Sequence, residues 1–213
     1  MNIRPILLLS IVGLVGCTKS NPNPGPPPAG MNAGFTVVHP QRIANEIERV
    51  GRERLGLTSG DRIYASSKLF FSYPLANCVF TGLKIGATVI LDPQWPTAES
   101  VVASVAAQRA NVLFSVPSLY RNLLKQGLAP ALTQSGVRLF VSAGEALPAS
   151  LRDEWKRQTG CTIVDGFGAS ETLVLVLVDR DDGEGLRASP GIEVRALDDA
   201  AAPPEMTAAR ADT

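Results

Sequence analysis

The sequence predicts an α/β fold: a mostly parallel sheet flanked by helices, spanning residues 35–199 of the 213. Three observations carry this expectation. Apolar residues make up 45% and charged residues 19%, enough to bury one sizeable core. Short apolar runs rich in Val, Ile, Leu and Phe recur along the chain. Segments of helical period separate them, which is the pattern of strands joined by crossover helices.

The elements follow in order. Between Gln41 and Leu57 the apolar residues Ile43, Ala44, Ile47, Val50 and Leu55 recur at helical spacing, with charge between them. Gly60-Asp61 marks a turn, and Arg62 to Ser66 reads as a short strand. Ala76 to Leu83 reads as helix, and Thr88 to Leu91 as a buried strand ended by Asp92-Pro93. A helix from Thr97 to Gln108 has Thr97 as N-cap and Glu99 in its first turn. Val112 to Val116 is a strand, Ser118 to Gln126 a helix and Val137 to Ser142 a strand. Pro148 to Thr159 is a helix with Trp155 inside; Thr162 to Val164 and Thr172 to Val178 are strands.

Composition narrows the function. Twenty basic and twenty acidic residues cancel, and no basic block stands out, so no nucleic-acid partner is expected. The single histidine, His39, and the scattered Cys17, Cys78 and Cys161 make no zinc pattern. Cys78 and Cys161 read as small apolar core residues.

Residues 1–17 read as a lipoprotein-type signal peptide: Arg4, an apolar run from Ile6 to Gly16, then Leu14-Val15-Gly16-Cys17. This end is similar to a bacterial lipobox, which implies a lipid anchor on Cys17. Thr18, rather than Asp, after the cysteine favours the outer membrane in such proteins. A chance apolar start, with Met31 as the true first residue and a cytoplasmic product, is the other reading. Residues 18–34 form a Pro-rich linker in which NPNPGPPPAG excludes helix and sheet. Residues 200–213 read as a disordered tail.

Ligands of open α/β sheets bind beyond the carboxyl ends of strands. Two segments rich in small residues sit there: Ser142 to Pro148 (SAGEALP) and Asp165 to Thr172 (DGFGASET), read as a turn. The latter is no dinucleotide fingerprint, since Glu171 stands at the third glycine, and no nucleophile elbow, since Ser170 lacks GxSxG. It offers an aromatic face (Phe167), a hydroxyl (Ser170) and a carboxylate able to hold Mg2+ (Glu171). The bland readings are core packing for Phe167 and a surface carboxylate for Glu171. Tyr73, beside Phe70 and Phe71, reads as core-lining, and Lys68 as a solvated side chain.

SAGEALP followed by DGFGASET resembles the AMP-forming adenylate-forming superfamily of acyl- and aryl-CoA synthetases, and within it the benzoate-CoA ligase branch. LGLTSGDRIYASSKLFFSYPLAN, LKIGATVILDPQWPTAESV, VLFSVPSLYRNLL and SPGIEVRALDD are similar to the same enzymes in the same order. The resemblance implies a partial N-terminal domain of such an enzyme. It implies nucleotide contacts at Gly144, Glu145, Ala146, Asp165, Gly166, Phe167, Gly168 and Ser170. It places an Mg2+ carboxylate at Glu171 and an aryl or acyl acid at Ser72 and Tyr73, with ATP/AMP and CoA as co-substrates.

The sequence departs from the pattern at three places. GFTVVHPQRI resembles the residues just after the family's phosphate loop, but the proline-rich run stands where that loop would be. The C-terminal lysine domain has no counterpart in the 213 residues, and Val174 stands where benzoate-type ligases often have histidine. Losing one charge-stabilising donor typically costs ~10²–10³ in rate, so the expectation is a fragment with weak nucleotide binding and little or no turnover. No residue is therefore assigned as catalytic. A complementing chain in trans is one route to activity; a tethered envelope lipoprotein using the α/β piece as a binding or scaffold module is the alternative function.

Overall fold

The computed structural model describes residues 40–170, 172–182, 184–190 and 192, with side chains from Ala44 onward. The leader, the linker, the tail, Cys17 and Glu171 lie outside the described residues. Among the described residues a seven-stranded sheet has the order β2-β1-β3-β4-β5-β6-β7. The strands are β1 (Arg62–Ala65), β2 (Thr88–Ile90), β3 (Val112–Ser115), β4 (Leu139–Ser142), β5 (Ile163–Gly168), β6 (Leu175–Asp179) and β7 (Arg187–Ala188). Pairing is parallel from β2 through β5, and antiparallel between β5 and β6 and between β6 and β7.

Alternation along the strands splits the core in two. Ile63, Val112, Phe114, Val141 and Val164 face one layer, with Ile47, Val50, Leu55 and Cys78. Tyr64, Leu113, Phe140 and Ile163 face the other, with Val101, Val105, Leu123 and Trp155; Cys161 packs at its edge. The first layer holds α1 (Pro40–Arg49), which continues as a π-helical turn (Val50–Arg54). It also holds α2 (Ser72–Pro74), which passes through a π-helical stretch (Leu75–Phe80) into α3 (Thr81–Ile85). The second holds α4 (Ala98–Gln108), α5 (Pro117–Lys125), α6 (Ala129–Gln134) and α7 (Ala149–Thr159). Among the described residues no helix is long and apolar enough to cross a membrane.

Local chemistry explains several boundaries. Thr97 caps α4 as the sequence predicts: its hydroxyl accepts from the Ser100 N–H, and the Ser100 hydroxyl accepts from the Thr97 N–H, satisfying two free amides. Pro117 opens α5, where its missing N–H costs nothing. Two elements escape sequence reading, α6 because six residues show no period, and β7 because two residues show no alternation.

The largest correction concerns DGFGASET. Asp165 to Gly168 are not a turn but the second half of β5, and β6 begins at Leu175 rather than Thr172. The antiparallel partner β6 takes the backbone bonds of the glycine-rich stretch, with a register shift between Phe167 and Gly168. The glycines serve that pairing. A Cβ on Gly166 would stand 2.7 Å from Leu175 Cδ1, and one on Gly168 2.6 Å from the Val174 carbonyl oxygen. Their small size admits the neighbouring strand before it admits any ligand.

Candidate functional site

The parallel strands β3, β4 and β5 end side by side. Between these ends and α2 lies a cleft of about 480 Å³. Its floor and walls come from Tyr73 and Asn77 of the α2 segment, Ala143 to Glu145 after β4, and Gly168 to Ser170 with Leu173 to Leu175 around the next turn. Clefts of this size hold small molecules and nucleotides.

Each wall has a local cause. Gly144 sits at φ +88°, in the left-handed region open to glycine, so the chain turns sharply off β4. Glu145 follows, and the Ser118 hydroxyl of α5 donates to its Oε1 at 3.1 Å. Tyr73 turns its hydroxyl inward, 3.1 Å from the Val141 carbonyl and 3.3 Å from that of Ser115, and burial pushes its pKa well up. Its ring is thereby fixed against Phe114 at a centroid distance of 6.0 Å. Ser72 Oγ lies 3.1 Å from Ser170 Oγ across the cleft mouth.

Of the residues singled out by sequence, Ser72, Tyr73, Gly144, Glu145, Gly168 and Ser170 meet in this cleft. Ala146 is exposed on the rim, and Gly166 packs on Leu175. Asp165 and Phe167 do not line the cleft. Strand alternation puts both on the α7 side of β5, where Phe167 is 40% exposed. Lys68 is held rather than freely solvated: its ammonium donates to the Asp92 and Gln94 carbonyls and lies 5.5 Å from the Trp95 ring centroid. Tyr73 packs against the core as expected, while Phe70 and Phe71 pair with each other at 4.5 Å, exposed at the cleft.

Asp165 belongs to an ionic cluster. Arg152 of α7 lies 3.8 Å from its Oδ2 and 2.7 Å from Asp179 Oδ2 on β6. Burial pushes the Asp165 carboxyl up to about 6, against the pull of the Arg152 charge and with help from Asp179. A folded-state pKa raised above the ordinary 3.8 costs stability once the group ionises. The cost is absent below that value, grows through the interval and is complete above about 6. Asp165→Asn should therefore gain on the wild type between pH 4 and pH 6.5, by on the order of 1–3 kcal/mol. Urea unfolding at four pH values across that range measures it, and a pH-independent difference would refute it.

Asn77 is the site residue that sequence reading missed. It is 3% exposed, and its amide donates to the Tyr73 carbonyl at 3.0 Å and the Leu173 carbonyl at 3.4 Å while accepting from the Leu175 N–H at 3.2 Å. The available signal was an amide inside the apolar run LANCVF, which must find partners once buried. Among the described residues no group of three or more His, Cys, Asp and Glu side chains is placed to hold a metal.

The carboxyl ends of the parallel strands β3, β4 and β5 open into this cleft between SAGEALP and the β5–β6 hairpin, the place where open α/β sheets bind their ligands. Residues 30–207 match the AMP-binding enzyme family, and the chain belongs to it. Within the family it is 42% identical over 167 residues to a 3-hydroxybenzoate--CoA/4-hydroxybenzoate--CoA ligase of Thauera aromatica, covering 76% of this chain and 32% of the relative. It is 39% identical over 170 residues to a 3-hydroxybenzoate--CoA ligase of an Aromatoleum species, covering 78% of this chain and 32% of the relative. Among solved structures, a benzoate CoA ligase from Burkholderia xenovorans superposes with a TM-score of 0.68 at 33% identity, over 76% of this chain and 34% of that one. The chain thus spans about a third of the length of the curated relatives it matches.

Proposed function

We propose that the cleft is the acyl-adenylate site of an aryl-CoA ligase. In that reaction an aryl carboxylate oxygen attacks the α-phosphorus of ATP and pyrophosphate leaves. The thiolate of CoA then attacks the acyl carbon and AMP leaves. The observation that carries the reading is the 3.1 Å approach of Ser72 Oγ and Ser170 Oγ, since it joins the acid-pocket helix to the turn assigned to the phosphate. Ser72 and the Tyr73 ring would bound the acid, Gly144, Glu145 and Ala146 the adenine, Ser170 the phosphate, and Glu171 an Mg2+ ion.

The names of the curated relatives support an aryl acid as the substrate class. For the chain on its own we propose binding without efficient turnover, because the proline-rich run stands at the place of the phosphate loop. A second chain supplying that loop would then raise turnover. Isothermal titration of the purified chain with AMP and Mg2+, and separately with 3-hydroxybenzoate, tests the site. Saturable binding of AMP, weakened about tenfold in Ser170→Ala by loss of a hydrogen bond to a charged group, is expected. No heat from a folded, monodisperse sample would reject it.

Leu14-Val15-Gly16-Cys17 supports a second reading, export and lipid anchoring in the cell envelope. Incorporation of radiolabelled palmitate in a bacterial host, abolished by Cys17→Ser, is the expected result. A product beginning at Met31 would instead place the chain in the cytoplasm.

A further inference from the structure

The turn from Ala169 to Val174 is closed internally. The Thr172 and Leu173 N–H groups both donate to the Ala169 carbonyl, and the Ala169 N–H donates to Thr172 Oγ1 at 3.0 Å. Leu173 holds φ +61°, a left-handed conformation that a leucine keeps only when its surroundings impose it. What matters for Ser170 is where this turn is held to the rest of the molecule. Among the described residues, two side chains bond it to the rest of the molecule: Ser72 at the exposed mouth and Asn77 in the buried floor.

The two bonds differ in weight. The Ser72–Ser170 hydroxyl pair is exposed, and water can replace either partner. Asn77 instead serves the Leu175 N–H through a buried bond, where a lost partner is not readily replaced by solvent, and the part-buried Leu173 carbonyl. Its second donor bond goes to the Tyr73 carbonyl, one helical turn back, and the Tyr73 hydroxyl is fixed to the ends of β3 and β4. A continuous path of packed and bonded groups therefore runs from the sheet through Tyr73 and Asn77 to the turn that carries Ser170.

We propose that Asn77 is a positioning residue that couples the two halves of the cleft, so that filling the acid side changes affinity on the nucleotide side. This rests on the function proposed above, with Tyr73 bordering the acid and Ser170 bordering the phosphate. Linkage makes the effect reciprocal, and typical couplings correspond to about fivefold or more in affinity. The sign depends on whether shared ordering outweighs repulsion between the two anions; the dependence on Asn77 does not.

The test is a titration cycle on the full chain. The Kd of AMP with Mg2+ is measured with and without saturating 3-hydroxybenzoate, in wild type, Asn77→Ala and Asn77→Asp. Wild type should show a change of about fivefold or more, and both variants less than about twofold. Asn77→Asp keeps an acceptor for the Leu175 N–H but sets a carboxylate oxygen against the Leu173 carbonyl, so it frees that end in a side chain of nearly unchanged shape. Amide exchange without ligand gives a second readout. The Leu175 amide should exchange about tenfold or more faster in Asn77→Ala, the factor expected for one lost buried hydrogen bond. Full coupling retained in either folded variant overturns the proposal, as does unchanged Leu175 exchange. Failure of wild type to bind AMP at all would reject the function proposed above and the coupling with it, whereas binding with no coupling rejects the coupling alone.

Discussion

Trp155→Ala is expected to destabilise the fold by about 3–5 kcal/mol, a large part of the ~5–15 kcal/mol that holds a typical domain together. Trp155 is fully buried at the centre of the second core layer, where α7 meets β4 and α5. Its ring stands edge-on to Tyr120 at 4.8 Å and to Phe140 at 5.0 Å, and those two meet at 6.4 Å. Truncation leaves a cavity bounded by two rings that cannot collapse into it. The Tyr120 hydroxyl is tethered 3.0 Å from the Val141 carbonyl, and Phe140 is part of the sheet. Trp155→Phe keeps a ring in place and removes a buried indole N–H that has no hydrogen-bond partner among the described residues, so it should lose much less. Urea unfolding followed by far-UV circular dichroism measures both. A loss below about 1 kcal/mol for the alanine variant would contradict the packing described.

Asp61→Ala is the second large effect, expected at about 3 kcal/mol, the lower end for a broken buried ion pair because the Arg138 side chain keeps 45% of its exposure. The carboxylate gathers donors from three directions. Arg138 Nη2 lies at 2.6 Å, the Thr58 N–H at 2.7 Å and Asn111 Nδ2 at 3.0 Å, and Asn111 in turn accepts from the Arg62 N–H at 2.8 Å. The cluster pins the amino ends of β1, β3 and β4, opposite the cleft. Burial raises the Asp61 pKa, but the Arg138 hydrogen bond, the Thr58 N–H and the Arg138 charge together outweigh it and hold the group below its ordinary 3.8. A lowered folded-state pKa adds stability that is complete above that value and is lost as pH falls through the folded one. The gap between wild type and Asp61→Asn should therefore narrow from pH 7 to pH 3. Guanidinium unfolding at the two pH values checks it, and a gap that widens on acidification would contradict the assignment.

Most of the fold was legible in the sequence for one reason: strands buried on both faces are nearly all apolar. Val112 to Ser115 and Leu139 to Ser142 are fully buried along their length, and no polar interruption hides them. Thr97 was legible because a cap bonds to residues three positions away. β5 was not. Its glycines look like a turn when read alone, and only β6, folded back against them, makes them a strand. The same limit governed the site. Ser72, Tyr73, Gly144, Glu145 and Ser170 were found by resemblance to known motifs, whereas Asn77 bonds to partners 96 and 98 residues away and carries no local mark.

The sequence by itself determined the α/β class, the family and the two segments at the strand ends, because these depend on periodicity and on motifs a few residues long. Tertiary structure alone decided which side of β5 Asp165 takes and that Asp61 ties three strands. It also decided that Asn77, rather than the glycines, holds the wall of the cleft. Each of those is a contact between residues distant in the chain, where burial turns an ordinary polar side chain into one that must be paired.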